Sequence, residues 1–268
     1  MDLQLWPDTL TLTADAGHHY LLPECPKLNM LWISAIPISF ADATFPNLTF
    51  LSITKAEVPL HYLSDVAKAC PSLTSLQLFP TGAAVNESEV IEFPCLKTLN
   101  LSCKSRPDSY LHWLDMPVLS DLTIQSTDLS SNGIDTRDPG SIRPFTTVRT
   151  LGLGGMKAAK VPPYDANLFM YTPNVTALKL GRCATQARSL FEHLATAAPP
   201  PLPALQALSV AELAKGAQKV LLRIVQHRIR HELPLKELEL EEEMVDEMDV
   251  ELLKALEEHV DVVVLCGP

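Results

Sequence analysis

Signatures of catalysis and metal binding are missing from this sequence. It has no G-x-S-x-G elbow, no P-loop and no Cys/His nucleophile arrangement, and none of its six cysteines forms a C-x-x-C pair. Hydrolases, nucleotide hydrolases, zinc ribbons and dithiol redox centres therefore lack sequence support. No apolar run approaches the roughly 18 residues of a membrane-spanning helix. The opening Met1-Asp2-Leu3-Gln4-Leu5-Trp6-Pro7 has neither the basic region nor the long apolar stretch of a signal peptide. The protein is therefore expected to be intracellular, cytoplasmic or nuclear, with no membrane partner. The Asn-x-Ser/Thr matches at Asn47, Asn86, Asn100 and Asn174 are read as chance. An excess of base is missing too. Residues 237–261 hold twelve acids against Lys254 alone, which accounts for the whole formal net charge of −11. A neutral body with one acidic end excludes nucleic acid as the main partner, because such binding relies on Lys and Arg neutralising phosphates.

What is present is a repeated motif. Phe93-Pro94-Cys95-Leu96-Lys97-Thr98-Leu99-Asn100-Leu101 shares its grammar with the segments starting at Cys25-Pro26, Phe45-Pro46, Cys70-Pro71, Met116-Pro117, Thr172-Pro173 and Leu202-Pro203. In each, a Pro stands two residues before an L-x-x-L-x-L core. Phe145 opens a copy without Pro, and Pro234 lies one residue closer to its core. The first core positions are 28, 48, 73, 96, 119, 148, 175, 205 and 235, so the period runs from 20 to 30 residues. Periods of roughly 20–29 residues with this core identify a leucine-rich repeat.

Hydrophobic content of 47% with 20% charged residues supports one continuous core. The expected fold class is α/β: an irregular leucine-rich-repeat solenoid with a curved parallel sheet on its concave face. Loops and 3-10 turns, then helices, are expected on the convex face. One domain spans 1–268, with an N-terminal cap over 1–27, repeats over 28–240, and a C-terminal cap helix and strand over 241–268. Thr9-Leu10-Thr11-Leu12 fits a capping strand, with Trp6 over the core end. Helical spacing marks 61–70, 187–197, 212–231 and 244–259, and Asp261 to Leu265 reads as a terminal strand. The turn-rich segment from Asp128 to Pro144 is expected to be a loop. Cys25 and Cys70 fill a slot taken elsewhere by Phe and Met, so they read as small core residues. Cys183 takes the Asn/Cys slot at a strand exit.

In each core the Leu positions should point inward and the intervening residues outward. The outward set begins aromatic with Trp32, Phe50 and Phe79. It becomes small and polar through Gln77, Asn100, Thr123 and Gln125, passes Lys179, and ends acidic at Glu239 and Glu241. Exposed aromatic clusters anchor protein interfaces, so these ten residues are the candidate protein-binding surface, with the 128–144 loop as the other. The rings are alternatively covered by an N-terminal segment or by one another. The acidic run, which includes Glu237, is either a site for a basic partner or a solvated face paired with Lys215, Lys219, Arg223, His227 and Arg230. His227 and His231 stand i, i+4 but are separated by Arg228, Ile229 and Arg230 instead of the H-E-x-x-H pattern, so no metal is expected. Gly152-Leu153-Gly154-Gly155 reads as a strand-exit turn rather than a dinucleotide loop. Pro200-Pro201-Leu202-Pro203 reads as a stiff linker rather than a polyproline ligand. No catalytic residue and no cofactor are expected, so the chain is read as no enzyme.

The C/F-P-x-L-x-x-L-x-L copies, their variable spacing and the poor Asn ladder resemble the leucine-rich-repeat region of F-box proteins, especially the divergent fungal type, from about Pro23 onward. That resemblance implies the substrate-recognition half of a ubiquitin-ligase receptor, whose F-box would dock the Skp adaptor of a cullin ligase. The F-box itself is not present in this sequence, so Skp is a partner only if an F-box lies upstream. The alternative is a stand-alone leucine-rich-repeat scaffold or inhibitor. The chain is expected to be a monomer.

Overall fold

The computed structural model describes residues 2–6, 9–13, 20–21, 25–34, 38–56, 58–81, 90–103, 108–126, 144–154, 164–181, 188–213 and 217–266. The chain is α/β and divides into two compact units. The first holds the described residues up to Leu122, the second those from Thr123 on. The 128–143 segment, Cys183, Lys215 and the side chain of Trp6 lie outside the described residues.

One local device recurs in both units. In the first, the N–H groups of Leu28, Leu48, Leu73, Leu96 and Leu119 donate to the carbonyls of Cys25, Phe45, Cys70, Phe93 and Met116 at 3.0–3.3 Å. In the second, Val148, Val175 and Leu205 donate to Phe145, Thr172 and Leu202 over 3.0–3.3 Å. Each is a four-residue turn closed by an i to i+3 bond. Proline suits its second position because the ring fixes φ near the value that such turns need. Thr146 replaces Pro at one turn and the bond still forms, so proline favours the turn without being required. The residue after each first apolar position then offers a single carbonyl to two N–H groups of the next core. Asn29 receives Thr49 and Phe50, Thr49 receives Thr74 and Ser75, and Arg149 receives Thr176 and Ala177, all at 2.8–3.1 Å.

In the first unit, β1 (Asp2–Trp6) pairs antiparallel with β2 (Thr9–Thr13), and β2 runs parallel to β4 (Met30–Ser34). The expected capping strand at Thr9 is thus a full member of the sheet. Next come β6 (Phe50–Ala56), β7 (Ser75–Pro80) and β9 (Thr98–Cys103), all parallel. The short β3 (Tyr20–Leu21) pairs with β5 (Ile38–Ser39), and β8 (Ile91–Glu92) with β10 (Leu114–Asp115). Leu31, Ile33, Leu51, Ile53, Leu76, Leu78, Leu99 and Leu101 are buried on the inner face. Helix α1 (Leu60–Ala69) buries Leu60, Leu63, Val66 and Ala69 on one stripe. Phe40 stands edge-on to Phe45 and Tyr62 at 5.8 and 5.5 Å, and the Tyr110 hydroxyl, on α2 (Asp108–Leu111), donates to the Val58 carbonyl at 3.1 Å. Burial raises the Tyr62 phenol and pushes the Cys70 thiol up to about 12, so Cys70 is a neutral packing group. Its counterpart Cys25 is only partly buried.

The boundary between the units falls inside β11 (Asp121–Ser126). In the second unit β12 (Thr150–Gly154), β13 (Ala177–Leu180), β14 (Ala207–Val210), β15 (Glu237–Glu241) and β16 (Asp261–Leu265) run parallel in unbroken register. Helices α3 (Tyr164–Tyr171), α4 (Arg188–Thr196) and α5 (Lys219–Arg230) form their return paths. The helix expected over 212–231 begins at Lys219. The one expected over 244–259 is broken into α6 (Glu242–Asp246) and α7 (Val250–Glu257). Asp249 causes the break: its side chain accepts the Glu251 N–H at 2.8 Å, capping a new helix start.

Arg228 is 1% exposed and has no carboxylate partner among its bonds. Its guanidinium donates to the carbonyls of Leu233, Pro201, Leu202 and Leu205 at 3.1–3.2 Å. It pins the end of α5 to the turn that opens β14, and burial lowers its pKa to about 10, which leaves it charged at neutral pH. Leu202 reaches this turn with φ 53°, and Glu232 ends α5 with φ 60°. The Glu232 and Leu233 N–H groups donate to the Ile229 and Arg228 carbonyls at 3.0 and 2.9 Å, the bonding of a Schellman cap with Glu where Gly is favoured.

Candidate functional site

The outward-facing residues of each sheet lie where the alternation places them. In the first unit one register row runs Trp32, Ser52, Gln77, Asn100, and neighbouring rows hold Met30, Phe50, Ser75, Thr98 and Ser34, Thr54, Phe79. Trp32 and Phe50 are brought together, with ring centroids 4.9 Å apart at a 44° tilt. Both keep part of their surface in solvent, as do Gln77, Phe79 and Asn100. Ser52, between Trp32 and Gln77 in its row, is 3% exposed. Strand β2 joins the sheet beside β4, with Thr11 in register with Trp32. The rings therefore cover each other in part, and the N-terminal strand lies alongside them in the sheet. Asn100 Oδ1 is buried with no hydrogen-bond partner. An orphaned acceptor of this kind costs about 1–3 kcal/mol.

In the second unit the outward face is lower. A Cβ on Gly152 would stand 2.7 Å from Thr123 Oγ1, and one on Gly154 would lie 3.4 Å from Gln125 Cγ. Neither glycine takes a left-handed φ. Their role is close approach by a neighbouring side chain, which corrects the expectation of a strand-exit turn. One row runs Gly152, Lys179, Ser209, Glu239, Val263, and another Thr150, Ala177, Ala207, Glu237, Asp261. Lys179 is exposed, while Glu237, Glu239 and Glu241 are partly exposed. Sequence reading placed the three glutamates correctly but missed Asp261, Val263 and Leu265 beside them. The alternation of Asp261 to Leu265 carried that signal, since a strand in register with β15 must present them outward.

The basic stripe of α5 does not need these acids. Arg223 forms a bidentate pair with Glu192 of α4 at 2.8 and 3.0 Å, so a partner lies on the preceding helix rather than the following one. His227 and His231 approach to 4.7 Å between ring centroids. His227 Nε2 lies 2.8 Å from the Ala197 carbonyl, so that nitrogen carries the proton and is occupied as a donor. His193 stacks on Phe169, and burial lowers its pKa. Among the described residues, no three His, Cys, Asp or Glu side chains are grouped to hold a metal ion, and no helix is long and apolar enough to cross a membrane.

No family model matches the chain, and comparison with curated proteins and with solved structures likewise finds no match.

Proposed function

We propose that this chain is a protein-binding module of the leucine-rich-repeat solenoid type, supplying the substrate-recognition part of an F-box-type ubiquitin-ligase receptor. The observation that carries the binding role is the Trp32–Phe50 pair, partly exposed on an outward sheet face. Aromatic rings held in place by a sheet present large apolar area at little entropic cost on binding. The repeat class is supported by the turn and the doubly used carbonyl that recur from core to core. The ligase role rests on the resemblance of the Pro-containing copies. On this reading the protein works in the cytoplasm or nucleus as a monomer, without cofactor, nucleic acid or membrane.

Proximity labelling in cells, comparing the wild-type protein with the Trp32→Ala/Phe50→Ala double variant, tests the surface. A partner labelled by the first and lost by the second is expected, together with co-purifying Skp adaptor when an F-box is encoded upstream. An identical labelled set for both proteins refutes the aromatic face as the binding surface.

A further inference from the structure

The last strand of the second unit is unlike those before it. The inward residues of β13, β14 and β15 are buried. On β16 the same positions, Val262 and Val264, are not: Val262 is partly exposed and Val264 is 44% exposed, while Leu265 at the strand end is 38% exposed. Among the described residues, strand β16 also closes the sheet order, with β15 on one side and no strand on the other. The Asp261 N–H donates to the Lys236 carbonyl at 3.2 Å. Backbone groups alternate sides along a strand. Asp261, Val263 and Leu265 therefore bond toward β15, and the N–H and C=O groups of Val262 and Val264 face the open edge. An edge with free backbone groups and apolar side chains is a template for another strand.

The charge around the edge selects the occupant. Asp261 lies beside Glu237, and Glu239 and Glu241 continue the same outward face. Glu257 and Glu258 are exposed at the end of α7. A second copy added edge to edge would bring acid to acid. We propose that β16 is a docking edge for an extended basic segment of another protein. Such a segment adds a strand to the sheet, sets aliphatic side chains against Val262 and Val264, and sets Lys or Arg beside Asp261, from where their long side chains extend across β16 toward the β15 glutamates. Main-chain bonds to Val262 and Val264 supply affinity, and the alternation of aliphatic and basic residues supplies specificity. This edge shares no residue with the Trp32–Phe50 face, and the proposal does not depend on the ligase reading.

The test uses the full chain with three synthetic heptapeptides: alternating Lys/Val, alternating Glu/Val, and a block peptide with the lysines together and the valines together. Fluorescence anisotropy reads binding, and hydrogen exchange reads protection of the Val262 and Val264 amides. The alternating basic peptide should bind and protect both amides. Its affinity should fall about tenfold or more in Glu239→Lys/Glu241→Lys and weaken steeply with salt, as screened charge pairing requires. Val264→Pro removes an edge N–H that β15 does not use and should abolish protection. Should that variant not fold, Val264→Lys, which sets a charge against the peptide's valines on an unchanged backbone, replaces it. Equal binding of the block peptide, binding unaffected by either Val264 variant, or unchanged exchange at Val262 and Val264 overturns the proposal. So does concentration-dependent self-association that protects the same amides without peptide, because a second copy is then the occupant.

Discussion

In the first unit the outward sheet face carries two touching aromatic rings, and the chain returns between strands through α1, α2 and the two-residue strands β8 and β10. In the second unit the outward face falls to Gly152 and Gly154 and rises to an acidic strip, and a helix of eight or more residues precedes each of β13, β14, β15 and β16. Eight cores, five in the first unit and three in the second, nevertheless open with the same turn, its i to i+3 bond at 3.0–3.3 Å, whereas the core at Leu235 follows the cap of α5 instead. Spacing between first apolar positions grows from 20 to 30 residues along the chain without changing the turn of those eight. The comparison teaches that the core and its turn form one module, and that the return path and the outward side chains vary independently of it. Inward positions are constrained by packing above and below, whereas outward positions answer only to solvent or a partner.

If the modules are equivalent, core truncations should cost alike in both units. Leu99→Ala in the first and Leu178→Ala in the second should each lose about 2–5 kcal/mol by denaturant unfolding, since both side chains are fully buried. A loss under about 1 kcal/mol at either position would break the equivalence. The second unit has a device that the first is not seen to use. Arg228→Met should cost about 3 kcal/mol, because four carbonyls lose their donor while a similar side-chain volume remains. Thermal melting that matches wild type would mean that water replaces the guanidinium.

Outward substitutions should separate binding from stability. Trp32→Ala or Phe50→Ala should weaken partner binding by more than about 1 kcal/mol. Each should lower stability only by about 0.5–1.5 kcal/mol, the value of the ring pair itself. Calorimetry with the labelled partner and a melt of each variant measure the two quantities, and complete unfolding of both would make the rings structural. The smallest effect is a gain. Glu232→Gly should stabilise the second unit by about 1 kcal/mol, because a non-glycine residue in left-handed backbone is strained. A loss of stability would show that the Glu232 side chain contributes contacts worth more than the strain.

Much of the fold was legible because hydrophobic alternation is local. Leu31, Leu51, Leu76 and Leu99 were assigned inward from spacing alone, and each is buried; their neighbours Trp32, Gln77 and Asn100 were assigned outward, and each is partly exposed. The break between α6 and α7 was also readable in principle. Asp249 is a favoured N-cap residue, but the apolar positions on either side keep helical spacing and masked it. The two-residue strands β8 and β10 had no signal, since neither is stable without the other.

Residue order alone settled the repeating core and the alternation of faces, because each depends on residues within about ten positions of one another. Contacts between distant residues came only with the tertiary structure. Arg228 finds three of its four carbonyls 23–27 residues away, Gly152 is held small by Thr123, and Arg223 pairs with Glu192 of the helix before it rather than the acids after it. The edge of β16 is of the same kind: the sequence marks Asp261 to Leu265 as a terminal strand, and only the sheet order shows that no further described strand lies beyond it. The physical reason is range, since local pattern decides which way a side chain points and three-dimensional packing alone decides what it meets.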